Sequence, residues 1–232
     1  DMKYTPNNLS IFLDISTFCN AACPQCHRTN PNGLDKADWL PLVQWDLQAF
    51  KNAYKLENLN GTQRKNMYRQ FEFCGTWGDP VMNKDLLKMV KYIKDNTHDT
   101  NGSIRDEDWW WELGSIAGKR LTVYFAVDGI DQKMHSHYRR NTNLDKVLSN
   151  MKSISNTLSI IKARTIVFKH NEDCLDDIKD MVKKYGARSI VFTPSDRWDE
   201  GPTFNFVDAD GTPQKLERSR ILNEHKVQMD AR

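Results

Sequence analysis

Short apolar runs alternate with longer amphipathic stretches along most of the chain. Apolar side chains recur at every second position of a strand and at every third or fourth position of a helix, so the runs predict strands and the stretches predict helices. A loop-rich stretch precedes the last predicted helix. The predicted strands cover residues 10–15, 70–74, 121–127, 163–169 and 188–192. The predicted helices cover residues 39–56, 83–96 with Asn83 as N-cap, 106–117, 144–158, 172–185 and 214–227.

Strands and helices that alternate in this way imply a parallel sheet. A connection that contains a helix is long enough to return the chain beside the preceding strand by a right-handed crossover. The expected fold class is therefore α/β, and the pattern suits either an open doubly wound sheet or a partial barrel. We expect residues 1–195 to form the core domain and residues 196–232 to form a C-terminal extension of loop and helix.

Composition narrows the classes of protein that fit this pattern. The chain has 232 residues, 39% of them hydrophobic, and can build one sizeable core. A formal net charge of +2 gives no strong signal for nucleic acid or a membrane surface. No apolar run approaches transmembrane length, and we expect a trimmed N-terminus because the first residue is Asp1. Five cysteines, three of them clustered, do not suit a secreted disulfide framework, so we expect a cytoplasmic protein.

The clustered cysteines are the strongest chemical signal in the sequence. Cys19, Cys23 and Cys26 lie within eight residues, directly after the first predicted strand. Three thiolates of one loop can hold three irons of a cubane cluster and leave the fourth iron open to a ligand. Three other uses remain open: a C-x-x-C-H haem attachment that includes His27, a C-x-x-C dithiol, and a zinc site. The spacing favours the cluster, since the adjacent Cys26 and His27 would chelate one zinc ion awkwardly.

The spacing C-x3-C-x2-C after a first strand resembles the signature of the radical S-adenosylmethionine (SAM) superfamily. Gly78-Asp79-Pro80 resembles the Gly-Glu-Pro turn that follows the second strand in that family, and Asp128-Gly129 with Arg139 resembles the end of its fourth strand. Gln25 stands where the family often has an aromatic residue, and Ala126 stands where it often has serine.

The third strand of the family is poorly marked in this sequence. Asp99-Thr-Asn-Gly102 resembles the Thr-Asn-Gly that ends it, but Thr97 and His98 stand where an apolar run is expected. Either this strand is very short, or residues are missing from the chain.

The resemblance covers residues 9–195 and implies a fold, two cofactors and a reaction. The implied fold is an open, partial (β/α)6 TIM-like barrel with mainly parallel strands. The implied reaction is reductive cleavage of SAM by a [4Fe–4S] cluster, which gives methionine and a 5′-deoxyadenosyl radical that abstracts hydrogen from a substrate. The implied cluster ligands are Cys19, Cys23 and Cys26. The implied SAM contacts are Gly78, Asp79, Asp128 and Arg139.

The sequence does not identify a catalytic acid or base, nor the substrate. A small molecule or a peptide is expected, with peptide modification and cofactor biosynthesis as the favoured contexts and flavodoxin or ferredoxin as the type of electron donor. Four polar residues are candidates for the barrel interior or for substrate contact, namely Glu72, Asn101, Lys169 and Asn171. His135 and His137 are expected to be solvated loop residues. A dithiol oxidoreductase and a zinc-binding module remain as alternative functions.

Overall fold

Six parallel strands form the main sheet, in the order in which they occur along the chain. The computed structural model describes residues 9–60, 62–63, 68–93, 96–198, 201–221 and 227–230. Neighbouring strands that follow the chain order make the curved wall of a barrel, which confirms the expected α/β fold with a partial TIM-like barrel. The strands are β1 (Leu9–Leu13), β2 (Tyr68–Phe73), β3 (Asn96–Thr100), β4 (Leu121–Ala126), β5 (Ile160–Val167) and β6 (Ser189–Pro194).

In the described part of the chain after β6, three further strands follow the parallel sheet. β7 (Thr203–Val207) and β8 (Pro213–Glu217) form an antiparallel hairpin, and β9 (Val227–Asp230) pairs antiparallel with β6 at the sheet edge. The domain boundary at residue 195 stays a prediction.

Helices connect the strands and cover one face of the sheet. Four of them begin where the side chain of an Asp or Asn N-cap accepts a hydrogen bond from the backbone N–H three residues later. None of the helices within the described residues is long and apolar enough to cross a membrane. The helices are α1 (Leu47–Tyr54), α2 (Leu86–Tyr92), α3 (Glu107–Ala117), α4 (Gln132–Tyr138), α5 (Leu144–Ser155) and α6 (Leu175–Lys184).

The two faces of the sheet differ in polarity. In β4, Val123 and Phe125 are buried against the helices, whereas Tyr124 lies on the other face and is half-buried. In β5, Ala163 is buried in the same core, whereas Arg164 lies on the opposite face. Because side chains alternate along a strand, this pattern leaves the concave face of the partial barrel polar.

Two predicted helix starts are wrong, and each has a local cause. α1 begins at Leu47 rather than near residue 39, because Asp46 caps it and a bridge between Ser16 and Gln44 ties the preceding segment to the stretch between β1 and Cys19. Asn83 does not cap a helix. Its side-chain amide donates instead to the carbonyls of Ile15 and Trp45, and α2 begins later, at Leu86.

The predicted helix over residues 214–227 is also wrong. Its first part is strand β8 and its last residue opens β9, while residues 222–226 lie outside the described part of the chain. Phe206 and Leu216 explain the hairpin, because both are buried in one small apolar cluster against Tyr138 and Phe168. Charged residues between apolar ones therefore mark the exposed face of a strand here and not the exposed face of a helix.

Candidate active site

A cavity of about 430 Å³ opens at the carboxyl ends of the parallel strands. Parallel β/α barrels assemble their reactive groups at this end. All three clustered cysteines line the cavity, together with Gly78, Asp79 and Arg139. The sequence motifs, although far apart along the chain, therefore meet at one place.

Backbone hydrogen bonds fix the cysteine loop, residues 19–26, over the end of the sheet. The Ala22 N–H donates to the Arg140 carbonyl at 3.0 Å, and the Arg140 Nε donates back to the Ala22 carbonyl at 2.7 Å. The Arg28 guanidinium donates to the carbonyls of Ala21 and Thr17. The loop is thus held mainly through its carbonyls, which leaves the three thiols facing the cavity.

Burial keeps two of the thiols protonated in the absence of a metal. It raises the pKa of Cys19 to about 12, with the carboxylate of Asp79 and the neighbouring Cys23 adding to the effect. It also raises the pKa of Cys23, although the Arg139 guanidinium acts in the opposite direction. A thiol that is costly to ionise alone becomes a ligand when a metal replaces the proton and neutralises the thiolate.

The donor set fits an iron–sulfur cluster better than a single zinc ion. Sulfur ligands of one tetrahedral zinc ion lie about 3.8 Å from one another, given a zinc–sulfur bond of about 2.3 Å. Within the described ranges, no three His, Cys, Asp or Glu side chains converge closely enough to hold one metal ion. A cubane cluster does not require such convergence, because each thiolate binds a different iron.

The Gly78-Asp79 turn packs tightly against the segment that precedes the cysteine loop. A Cβ on Gly78 would lie 2.2 Å from the Ser16 carbonyl oxygen, and the Asp79 N–H donates to the Phe18 carbonyl at 2.8 Å. Glycine is required here because two backbones approach each other closely. Gly75, in contrast, has room for a side chain, with its nearest neighbours at 3.5 Å.

The Asp79 carboxylate is buried and fully hydrogen-bonded. Its Oδ1 accepts from the Val81 N–H, and its Oδ2 accepts from the Thr100 hydroxyl and from both the backbone and side-chain N–H of Asn101. Burial raises its pKa, and these hydrogen bonds oppose that rise. Asp79 therefore connects the turn after β2 to the end of β3.

Asp128 lies behind the cavity wall and holds an arginine that faces the cavity. Its carboxylate is buried and accepts hydrogen bonds from the Arg139 Nε and the Ile166 N–H. Asp128 is not among the residues that line the cavity, whereas Arg139 is. The Asp128 N–H also donates to Nδ1 of His135 at 3.2 Å.

The expectation of solvated loop histidines is wrong for His135. It lies on α4, is fully buried, and places its Nε2 3.1 Å from the Thr142 hydroxyl. Burial lowers its pKa to about 4, so the ring is neutral at physiological pH. His137 also lies on α4 rather than in a loop; it is half-buried, and its Nε2 lies 3.0 Å from the Lys215 carbonyl.

The four polar candidates for the barrel interior separate into two pairs. Glu72 and Asn101 line the cavity. Lys169 forms an ion pair with Glu217 of the hairpin instead. Asn171 is buried, and its side-chain amide donates to the backbone carbonyls of Asp128 and Ile166.

Sequence reasoning missed the polar group opposite the cysteines. Arg164 forms an ion pair with Asp99 at 2.8 Å and lies over the Tyr124 ring at 4.8 Å. These three residues and Glu72 line the cavity on the concave face of the sheet. Lys162, Arg164 and Ile166 occupy every second position of β5, and this spacing was the sequence signal that Arg164 lies on the face opposite the apolar core.

Gln25 takes a structural place that its sequence position did not reveal. It is buried, accepts from the Ser195 hydroxyl at 2.7 Å, and donates to the Arg197 carbonyl at 2.7 Å. The residue therefore ties the cysteine loop to the segment that follows β6.

No family model matches the chain. Among curated proteins, the chain is similar to the GTP 3′,8-cyclase of Campylobacter jejuni strain RM1221, with 26% identity over 184 residues, 76% of this chain and 52% of that protein. The chain thus spans about half the length of the curated relatives that it matches.

Solved structures share the fold at low sequence identity. Streptococcus suis SuiB bound to its precursor peptide SuiA matches with a TM-score of 0.61 and 13% identity, over 82% of this chain and 40% of that one. The protein anSMEcpe with bound AdoMet matches with a TM-score of 0.58 and 17% identity, over 80% of this chain and 50% of that one. The curated relatives and the shared fold agree with the resemblance to the radical S-adenosylmethionine superfamily that the order of the motifs along the chain indicates.

Proposed function

We propose that this chain is the core of a radical SAM enzyme that binds a [4Fe–4S] cluster through Cys19, Cys23 and Cys26. The observation that carries the proposal is the single cavity onto which the three thiols, the Gly78-Asp79 turn and Arg139 all open. Held at Cys19, Cys23 and Cys26, the cluster would supply, together with SAM, the radical chemistry for abstraction of hydrogen from the substrate, driven by one electron from a low-potential donor such as flavodoxin or ferredoxin.

The four SAM residues expected from the sequence divide by position into two roles. We propose that Gly78 and Arg139 contact SAM directly, because Gly78 brings backbone to the cavity wall and Arg139 offers a guanidinium to a carboxylate. Asp79 and Asp128 are proposed to act through their neighbours, since their carboxylates are already occupied by protein donors.

The concave face beyond the cysteines is the proposed substrate site. Glu72, Asp99, Tyr124 and Arg164 give it both acidic and basic groups, which suits a polar small molecule or a peptide more than an apolar ligand. The relatives include a GTP 3′,8-cyclase and a structure with a bound precursor peptide, and both classes of substrate suit this lining. We propose a cytoplasmic protein, because the five cysteines are free and a reducing compartment preserves such thiols.

Anaerobic reconstitution with iron and sulfide tests the proposed cluster. We expect about four irons per chain and an electron paramagnetic resonance (EPR) signal of the reduced cluster that changes when SAM is added. Serine at position 19, 23 or 26 should abolish this signal, whereas Cys174→Ser is the matched control, because Cys174 lies in the turn before α6 and does not line the cavity.

Two outcomes would contradict the proposal. Protein that binds zinc or no metal, without a SAM-dependent signal, would refute the cluster. Activity that survives in Cys19→Ser but is lost in Cys23→Ser and Cys26→Ser would favour a dithiol oxidoreductase, which needs only the C-x-x-C pair.

A further inference from the structure

Two side-chain N–H groups in the described part of the chain point at sulfurs of the cysteine loop. The Asn101 side-chain nitrogen lies 3.6 Å from the Cys19 Sγ, and the Arg139 Nη1 lies 3.7 Å from the Cys23 Sγ. These distances suit N–H···S hydrogen bonds, which are longer than N–H···O bonds because sulfur is larger. Neither an amide nor a guanidinium loses its proton at physiological pH, so both donors are permanent.

Asp79 fixes the amide of Asn101 in the orientation that faces Cys19. A carboxylate can only accept, so the amide nitrogen must face Asp79, at 2.7 Å from its Oδ2. On the other side, the Asn101 Oδ1 accepts from the Ser103 N–H at 3.0 Å. The two contacts together define which end of the amide approaches the sulfur.

Asp128 plays the same part for Arg139. Its carboxylate holds the Nε of the guanidinium, and the planar geometry of that group then directs Nη1 toward Cys23. Burial disfavours the charged guanidinium, but Asp128 and Cys23 raise its pKa above the ordinary value, so it remains positive. Two motifs that are distant in sequence thus build the same arrangement, a buried acid behind a donor that faces a sulfur.

We propose that Asn101 and Arg139 hydrogen-bond the cluster thiolates and raise the reduction potential of the cluster, with Asp79 and Asp128 as positioning residues. This inference rests on the proposed function. The reduced cluster carries one more negative charge than the oxidised cluster, and part of that charge resides on the cysteine sulfurs. N–H donors therefore stabilise the reduced form more than the oxidised form. The couple takes one electron, supplied in the test by dithionite, and no bond is made or broken.

A redox titration followed by EPR measures the effect. We expect Asn101→Leu to lower the ratio of reduced to oxidised cluster at a fixed potential about tenfold, which is about 59 mV for a one-electron couple. Asn20→Ala is the companion variant, because the Asn20 Oδ1 accepts from the same amide at 3.0 Å and competes with the Cys19 Sγ for one of its two protons. Its removal leaves the N–H···S contact in place, so we expect no fall in the potential.

Asp79→Asn separates positioning from a general structural role. The substitution turns one acceptor oxygen into a donor, which weakens the hold on Asn101 and lowers the potential, but it also removes a negative charge near Cys19, which raises the potential. In the Asn101→Leu background only the effect of the charge remains, so Asp79→Asn should raise the potential more there than in the wild type. Additive shifts would overturn this part of the proposal.

The experiment distinguishes failure of this inference from failure of the proposed function. An Asn101→Leu protein that holds about four irons but keeps the potential of the wild type overturns this inference alone. Wild-type protein without a cluster overturns the proposed function and this inference with it. If the variant does not assemble a cluster, the inference is tested by electron–nuclear double resonance of reduced wild-type protein labelled with ¹⁵N-asparagine. A ¹⁵N coupling to the cluster is expected, and its absence overturns the inference.

Discussion

Replacement of Gly78 by alanine is the sharpest test of how the cysteine loop is held. The new Cβ would lie 2.2 Å from the Ser16 carbonyl oxygen and 2.7 Å from backbone atoms of Thr17. Neither neighbour is a side chain that can rotate away, so the two backbone segments must separate by about 1 Å. That movement strains the hydrogen bond between the Asp79 N–H and the Phe18 carbonyl, which lies directly before Cys19.

The expected cost follows from these contacts. Overpacking of a well-filled site costs about 1–3 kcal/mol, and a weakened buried hydrogen bond adds about 1 kcal/mol. We therefore expect the free energy of unfolding to fall by about 3 kcal/mol in Gly78→Ala. For a chain of this size, that decrease corresponds to a melting temperature about 6–12 °C lower.

Two other glycines provide matched controls for the same assay. A Cβ on Gly33 meets nothing within 4 Å, and a Cβ on Gly75 meets ordinary contacts at 3.5 Å. Thermal unfolding followed by circular dichroism should place both alanine variants within about 2 °C of the wild type. If the Gly78→Ala protein melts at the same temperature as the two controls, the close approach of the two backbones is refuted. If the Gly33→Ala protein melts at as low a temperature as Gly78→Ala, the effect cannot be assigned to the contact with Ser16.

Two further predictions concern stability away from the cavity. The buried Glu172 carboxylate accepts hydrogen bonds from the Ser219 hydroxyl and from both the backbone N–H and the Nε of Arg220. Burial opposes ionisation of Glu172, but these hydrogen bonds hold the pKa of Glu172 below its usual value. Glu172→Gln should cost about 1–3 kcal/mol at pH 7 in chemical unfolding, with the exposed Asp173→Asn as neutral control. Since the depressed pKa stabilises only the ionised form, the difference between wild type and Glu172→Gln should shrink as pH falls below about 4.3, and a constant difference would contradict the assignment. Trp110→Phe should lower the free energy of unfolding by about 2 kcal/mol, because Trp110 is fully buried and donates to a backbone carbonyl. Trp111→Phe should change it by less than about 0.5 kcal/mol, because Trp111 is 55% exposed. Equal effects of the two substitutions would contradict the assigned burial.

Much of the fold follows from patterns that a sequence displays directly. β4 and β5 alternate apolar with polar residues, and α3 and α5 begin directly after Asp106 and Asn143, whose side chains cap them. These are local signals, and the structure places these four elements within a few residues of their predicted bounds. The three proposed cysteine ligands are also local, since one loop carries all of them.

The wrong predictions depended on contacts between distant residues. Asn83 has the side chain of a good N-cap, but the carbonyls of Ile15 and Trp45 lie within its reach and take its amide protons. Leu216 lies in a segment with helical composition, but Phe206 and Phe168 offer it a buried site only as part of a strand. Neither the carbonyls that bind the Asn83 amide nor the aromatic residues that pack against Leu216 can be recognised from the sequence around these two residues.

The candidate site shows the same limit for residue roles. The sequence grouped Asp79 and Asp128 with Gly78 and Arg139 as SAM contacts. The structure places both carboxylates among protein donors, so their proposed role is to orient Asn101 and Arg139. A motif indicates that a residue is needed at a site, but only the geometry distinguishes a residue that faces the ligand from one that supports its neighbour.

β3 has the weakest hydrophobic pattern of the six parallel strands, and it also supplies several polar groups to the site. Its central position would ordinarily select apolar residues, yet His98 is buried beside Phe73 with its pKa lowered to about 3 by burial, and so packs as a neutral aromatic ring. The next residues carry the site, because Asp99 pairs with Arg164 and Thr100 bonds to Asp79. A strand that must supply polar groups at successive positions cannot also display an apolar run. Departure from the hydrophobic pattern is therefore a consequence of what the strand holds in place, and it coincides with the cavity as expected of a functional site.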